Sequence, residues 1–228
     1  QLLGRDVAPG KILYLQFSAE GKRSELRQSL ERAAVPLDDR IWIYTGPSVP
    51  DPIDALEAAV AQHRPSLVII DTLIRWVPVS DANDYSIMSQ ITESIATVAR
   101  LSGAHIMMLH HAGKADRDAG DSVLGSTAIF GGVDTLLAMR SREGLRTLES
   151  RQRYGDDMEE TVLDLDLGTG LLMAAGSLEE VEQRDLKAAI MAHAQDGMTR
   201  QQIIDGVEGR AALISKALRQ LSTEGHLE

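Results

Sequence analysis

Four short apolar runs, GKILYLQF (residues 10–17), RIWIYTG (40–46), SLVIID (66–71) and AHIMMLHH (104–111), are each separated from the next by a stretch of helical periodicity. Between them, Leu26, Leu30 and Ala33 recur at helical spacing. Asp51 and Pro52 open a helix over residues 51–65 as N-cap and first-turn proline, and Ile87, Ile91, Ile95 and Val98 line one face of a helix that stops at Gly103. Strands that are apolar throughout, alternating with helices, belong in a parallel sheet covered on both faces. The fold class expected is therefore α/β, with a mostly parallel, twisted sheet flanked by helices.

The pattern changes after His111. Residues 112–132, rich in Gly and Asp and without a sustained period, read as a mobile functional loop. Three strand candidates follow at 133–140, 145–151 and 160–167, with no room for helices between them, so the sheet should finish antiparallel. GTGLLMAAGS (168–177) then leads into an acid-rich linker helix, with a domain boundary near residues 176–184. The tail reads as three helices over 186–194, 199–205 and 210–224, with Thr199 as N-cap of the second, in helix-turn-helix order. The organisation expected is a core over residues 1–176 and a small all-α, winged-helix-like domain over 177–228.

Composition narrows the chemistry. The absence of cysteine excludes disulfides, thiolate metal sites and Cys nucleophiles. No apolar run reaches the length of a membrane span, and no basic-then-apolar leader opens the sequence, so a cytoplasmic protein without membrane contact is expected. A net charge of -11 opposes broad phosphate binding, and 4% aromatic residues leave few base-stacking platforms. Any nucleic-acid contact must be local.

The strongest functional signal is the acid that ends SLVIID. Ligands of open parallel sheets bind outside the carboxyl ends of the strands, where Asp71 would hold Mg2+ through coordinated water. The alternative is a helix N-cap or a solvated strand end. Glu20, three residues past the first strand, stands where it could orient an attacking water, or could simply favour a helix dipole. His110 and His111 end the fourth strand on the same edge, one facing the site to contact a terminal phosphate and the other packing away from it. Arg151 and Arg153, two apart before a glycine turn, suit arginine fingers acting on a neighbour's site, or else an exposed basic strand end.

In this order the residues resemble the RecA-like P-loop ATPases, and among them the hexameric group containing RepA helicase, RadA and DnaB. YLQFSAEGKRSELRQSL resembles that group's second strand with its catalytic Glu, LVIIDTLIR its Walker B, MLHHAGK its sensor strand, GSTAIFGGVDTLLAMR the helix and strand after the mobile loop, and RQRYG its finger motif. The resemblance implies hydrolysis of Mg-ATP at subunit interfaces of a homo-oligomer, a hexameric ring or a filament, and coupling to DNA in replication or repair. Asp71 would hold the metal and, with Thr72, contact the nucleotide, Glu20 and His110 or His111 would contact the water and γ-phosphate, and Arg151 and Arg153 would act in trans. By analogy, Lys114 and Arg117 would meet nucleic acid in a central channel. If the tail contacts DNA as winged helices do, Arg210, Lys216 and Arg219 on its third helix would enter the major groove; winged helices also bind proteins, and this tail has more acids than bases.

The family's phosphate loop, G-x-x-x-x-G-K-[ST], matches nothing in the 228 residues, and QLLGRDVAPG resembles the end of the helix that follows that loop. The expectation is a fragment of a longer ATPase, the other reading being a non-catalytic RecA-like module that binds or regulates a partner. The purified 228-residue chain is accordingly expected to turn over no ATP; steady release of phosphate above background would refute this.

Overall fold

The computed structural model describes residues 6–17, 23–36, 38–77, 79, 84–111, 127–142, 144–195, 197–209 and 211–226. The first unit runs β1 (Ile12–Gln16), α1 (Arg23–Arg32), β2 (Ile41–Thr45), α2 (Pro52–His63), β3 (Leu67–Asp71), a short α3 (Leu73–Trp76), α4 (Tyr85–Ser102) and β4 (His105–Leu109). After α5 (Thr127–Gly132) come β5 (Thr135–Arg142), β6 (Leu145–Gln152), β7 (Thr161–Leu165) and β8 (Leu172–Ser177), then α6 (Leu178–His193), α7 (Arg200–Gly206) and α8 (Ala211–Thr223).

The first four strands form a parallel sheet in the order β2-β1-β3-β4. Strand alternation sends Leu13, Leu15, Val68 and Ile70 into a core with Leu56 and Val60 of α2 and Ile95 and Val98 of α4. Each such aliphatic side chain contributes about 1.5–3 kcal/mol by leaving water. The opposite sheet face, with Ile12, Tyr14, Ile69 and Asp71, is only half-buried, and α1 buries none of its residues. Cover on that second face is thus looser than continuous apolar strands led one to expect.

The antiparallel strands depart from expectation in forming a separate sheet, β5-β6-β7-β8, rather than an extension of the parallel one. All eight residues of β5 are in register with β6, and the close connections along this stretch favour neighbours in sequence over β4. β8 was not expected. Its Ala- and Gly-rich run has weak strand propensity, and the pairing is imposed by a tight turn in which Asp166 Oδ1 accepts from the amides of Gly168 and Thr169. Gly170 in that turn has a φ of 73°, and a Cβ there would lie 2.7 Å from Nη2 of Arg32, so α1 rests against the hairpin.

The helix ends follow local chemistry. Asp84 caps α4 by accepting from the amides of Ser86 and Ile87, while Ser177 with Glu180 and Thr199 with Gln202 form capping boxes on α6 and α7. Asp51 occupies the N-cap position of α2, yet its side chain makes no capping bond. The stretch expected as linker plus helix is one continuous α6: Val181 is buried near its start, where α6 meets β7 and β8, and Ile190 near its end joins a core with Ile203, Val207, Ile214, Ala217, Leu218 and Leu221. Residues 112–126 of the expected loop lie outside the described residues, and the last six of that stretch form α5.

α5 packs against α4 so closely that a Cβ on Gly132 would sit 2.5 Å from Oγ1 and 2.6 Å from Cβ of Thr92. Thr92 is itself buried and donates to the carbonyl of Met88, so it has little freedom to retreat. Gly132→Ala is expected to destabilise the fold by about 1–3 kcal/mol, read from the urea midpoint, whereas the same change at Gly131, where nothing lies near the added methyl, should shift it far less.

Candidate nucleotide-binding rim

The register of the parallel sheet aligns its carboxyl ends. Gln16 pairs with Thr45 on one side and Asp71 on the other, and Asp71 pairs with Leu109, so one row runs Thr45, Gln16, Asp71, Leu109 across the four strands. The main chain continues the row past the strands, as the amide of Phe17 donates to the Asp71 carbonyl at 2.6 Å and that of Gly46 to the Gln16 carbonyl at 3.3 Å. Phe17 is buried and packs against Tyr44 and Trp76 directly beyond this row.

Asp71 sits on the half-buried face, as strand alternation from the buried Ile70 requires. Its Oδ2 accepts a hydrogen bond from the Tyr14 hydroxyl at 2.7 Å. Burial first, then the bond to Asp71 and its charge, push the Tyr14 phenol well above its ordinary value, which keeps it a neutral donor. Thr72 follows as the N-cap residue of α3 with no side-chain capping bond, and the Asp71–Thr72 peptide is cis. Oε1 of Gln16 is shielded from water and has no hydrogen-bond partner among the described residues. At the β2 end, Arg23 Nε donates to Thr45 Oγ1 at 2.7 Å, which brings a cation to the same row.

His110 and His111 leave β4 directly beyond Leu109, the first half-buried and the second exposed. The structure therefore brings Asp71, Thr72 and the two histidines to one rim, and adds Tyr14, Gln16 and Arg23. In the sequence Tyr14 and Gln16 are hidden in an apolar run; their period-2 spacing on the face of Asp71 is the only signal, and it becomes readable once the register is known. Glu20, Lys114, Arg117 and Arg210 lie outside the described residues.

Arg151 and Arg153 stand on the other sheet, at the end of β6, each engaged within the chain. Arg151 lies 3.2 Å from Asp157 and 3.7 Å from Glu149, while Arg153 lies 3.3 Å from Asp134 and also donates to the Gly131 carbonyl. On α8, Lys216 turns back to Glu179 of α6 at 2.6 Å, which holds that carboxyl below its usual range, and Arg219 donates to the Ser215 carbonyl of its own helix. Lys216 is thus directed into the α6–α8 groove.

The donors at the rim suit a hard divalent cation: a carboxylate, a hydroxyl and an amide oxygen, with no thiolate. Among the described residues no group of three or more His, Asp or Glu converges as a metal cage.

Fold and rim together define a RecA-like P-loop ATPase fold. The structure is similar to the crystal structure of the RadB recombinase, with a TM-score of 0.52 and 16% identity over 70% of this chain and 77% of that one. A family model described as AAA domain matches residues 1–117, which include all four parallel strands and the rim; the chain belongs to this family. No curated protein matches it.

Removing the carboxylate should leave the half-buried Tyr14 hydroxyl without its acceptor. Asp71→Ala and Tyr14→Phe, alone and combined, are expected to show a coupling of about 0.5–1.5 kcal/mol in urea unfolding, and strictly additive effects would mean that the bond carries no energy.

Proposed function

We propose that the chain is the hydrolytic core of an oligomeric ATPase of the RecA and RepA-helicase type, whose Mg-ATP hydrolysis is coupled to DNA. The observation that carries this reading is the aligned rim, where Asp71 ends β3 beside the ends of β1 and β4 and Thr72 follows it. Asp71 and Thr72 would hold Mg2+, whose charge offsets that of the phosphates. Glu20, by the family resemblance, takes the proton of a water whose oxygen bonds to the γ-phosphorus as the bridging oxygen leaves with ADP. His110 or His111 hydrogen-bonds the γ-phosphate, and Arg23 is near enough to the row to meet a phosphate as well.

Arg151 and Arg153 are proposed to act on the site of a neighbouring copy. Asp157 and Asp134 are substantially exposed, and pairs of that kind are worth about 0–1 kcal/mol each, so release from them toward a phosphate costs little; Glu149, the other acid near Arg151, is mostly buried. The helical tail is proposed as a winged-helix-like unit contributing Arg210, Lys216 and Arg219 to DNA, with Lys114 and Arg117 as further contacts; Lys216 must first leave Glu179. A second reading rests on one fact: no stretch of the 228 residues matches G-x-x-x-x-G-K-[ST], as a non-catalytic module would have it.

ATP turnover by the complete gene product, with and without single-stranded DNA, separates the two. Stimulation by DNA and a loss on the order of 100-fold or more in Glu20→Gln and in Asp71→Asn are expected. Arg153→Ala should abolish turnover while leaving nucleotide binding by the isolated subunit in place. Turnover that is absent in the complete product, or unchanged in both carboxyl variants, would favour the non-catalytic module.

A further inference from the structure

We infer that Tyr14 is the positioning residue for the Asp71 carboxylate, turning one of its oxygens toward the water shell of a divalent cation, with the neighbouring amide oxygen of Gln16 as a further acceptor for that shell. The inference rests on the proposed metal role of Asp71 and adds two residues to it. Tyr14, Gln16 and Asp71 lie on the same sheet face of adjacent strands, with Gln16 directly beside Asp71 in the register.

A carboxylate at a strand end rotates freely unless something holds it. The Tyr14 hydroxyl does so from two residues earlier in β1, at 2.7 Å from Oδ2, and leaves Oδ1 as the oxygen to receive a further donor. The phenol rises from a β-strand bonded on both sides, to β2 and to β3, so the donor is itself fixed. Gln16 supplies an independent observation: its Oε1 is screened from bulk water and has no donor among the described residues. Buried acceptors are nearly always satisfied, and the donor assigned here to this oxygen, on the residue paired with Asp71, is an O–H of a cation-bound water, which reaches it once the side chain turns out of its cover. Hydrogen-bond partners that orient a metal-binding carboxylate typically change metal affinity by about 10–100-fold when removed.

Mn2+ is the probe. Its binding to the complete gene product in the presence of ADP, followed by the loss of the free-ion electron paramagnetic resonance signal, should be about tenfold or more weaker in Tyr14→Phe and several-fold weaker in Gln16→Met than in the unaltered protein. Both variants keep the bulk of the residue, and circular dichroism reports whether each is folded. A purely structural tyrosine would alter unfolding and leave the Mn2+ affinity of the folded protein as it was. Equal or tighter binding in folded Tyr14→Phe overturns the inference; should that variant not fold, unchanged binding in Gln16→Met does so. Asp71→Asn separates the two levels: a Mn2+ site that this change weakens while Tyr14→Phe and Gln16→Met do not leaves the metal role of Asp71 standing and removes the positioning role. If the unaltered protein shows no Mn2+ site sensitive to Asp71→Asn, both fall.

Discussion

Parallel pairing in register is the constraint on which the rest of the molecule depends. Because β1 pairs with both β2 and β3, and β3 with β4, the four strands stop at one level and their last residues become neighbours, although adjacent ones lie as far as 55 positions apart in the chain, from Gln16 to Asp71. The hydrogen-bond ladder supplies the alignment. Burial of Leu13, Leu15, Val68 and Ile70 against α2 and α4 supplies the energy that holds it. A slip of one residue would turn those four side chains away from the helices and bring Asp71 into the core, so the same packing that stabilises the sheet sets the place of the acid.

The two faces of this sheet serve different ends. One is closed by α2 and α4 and is apolar. The other carries Tyr14, Gln16 and Asp71 and stays half-buried, which lowers the cost of keeping polar groups there. A carboxylate buried on the packed side would have to be neutralised or paired with a cation; on the open side a single phenolic donor is enough.

Charge is managed in the same sparing way elsewhere. In a chain with a net charge of -11, the cations proposed for phosphate are held by nearby acids, as in Arg151 with Asp157, Arg153 with Asp134 and Lys216 with Glu179. These pairs are exposed and weak, so they orient the side chains without locking them. α6 joins the antiparallel sheet to the helical tail, meeting β7 and β8 at one end and, through Ile190, the tail at the other, so the tail has a core of its own yet is not separated by a flexible connection.

By itself the sequence determined the alternation of strands and helices, the acid at the end of the third strand, the histidines at the end of the fourth and the helical tail, because hydrophobic period, capping residues and strand-end acids are local properties. Only the tertiary structure decided that the antiparallel strands form their own sheet, that an Ala- and Gly-rich run becomes β8, and that Tyr14 reaches Asp71 across 57 residues of sequence. These outcomes depend on which strands become neighbours and in what register. That choice is made by long-range burial and backbone pairing, which no short stretch of residues carries.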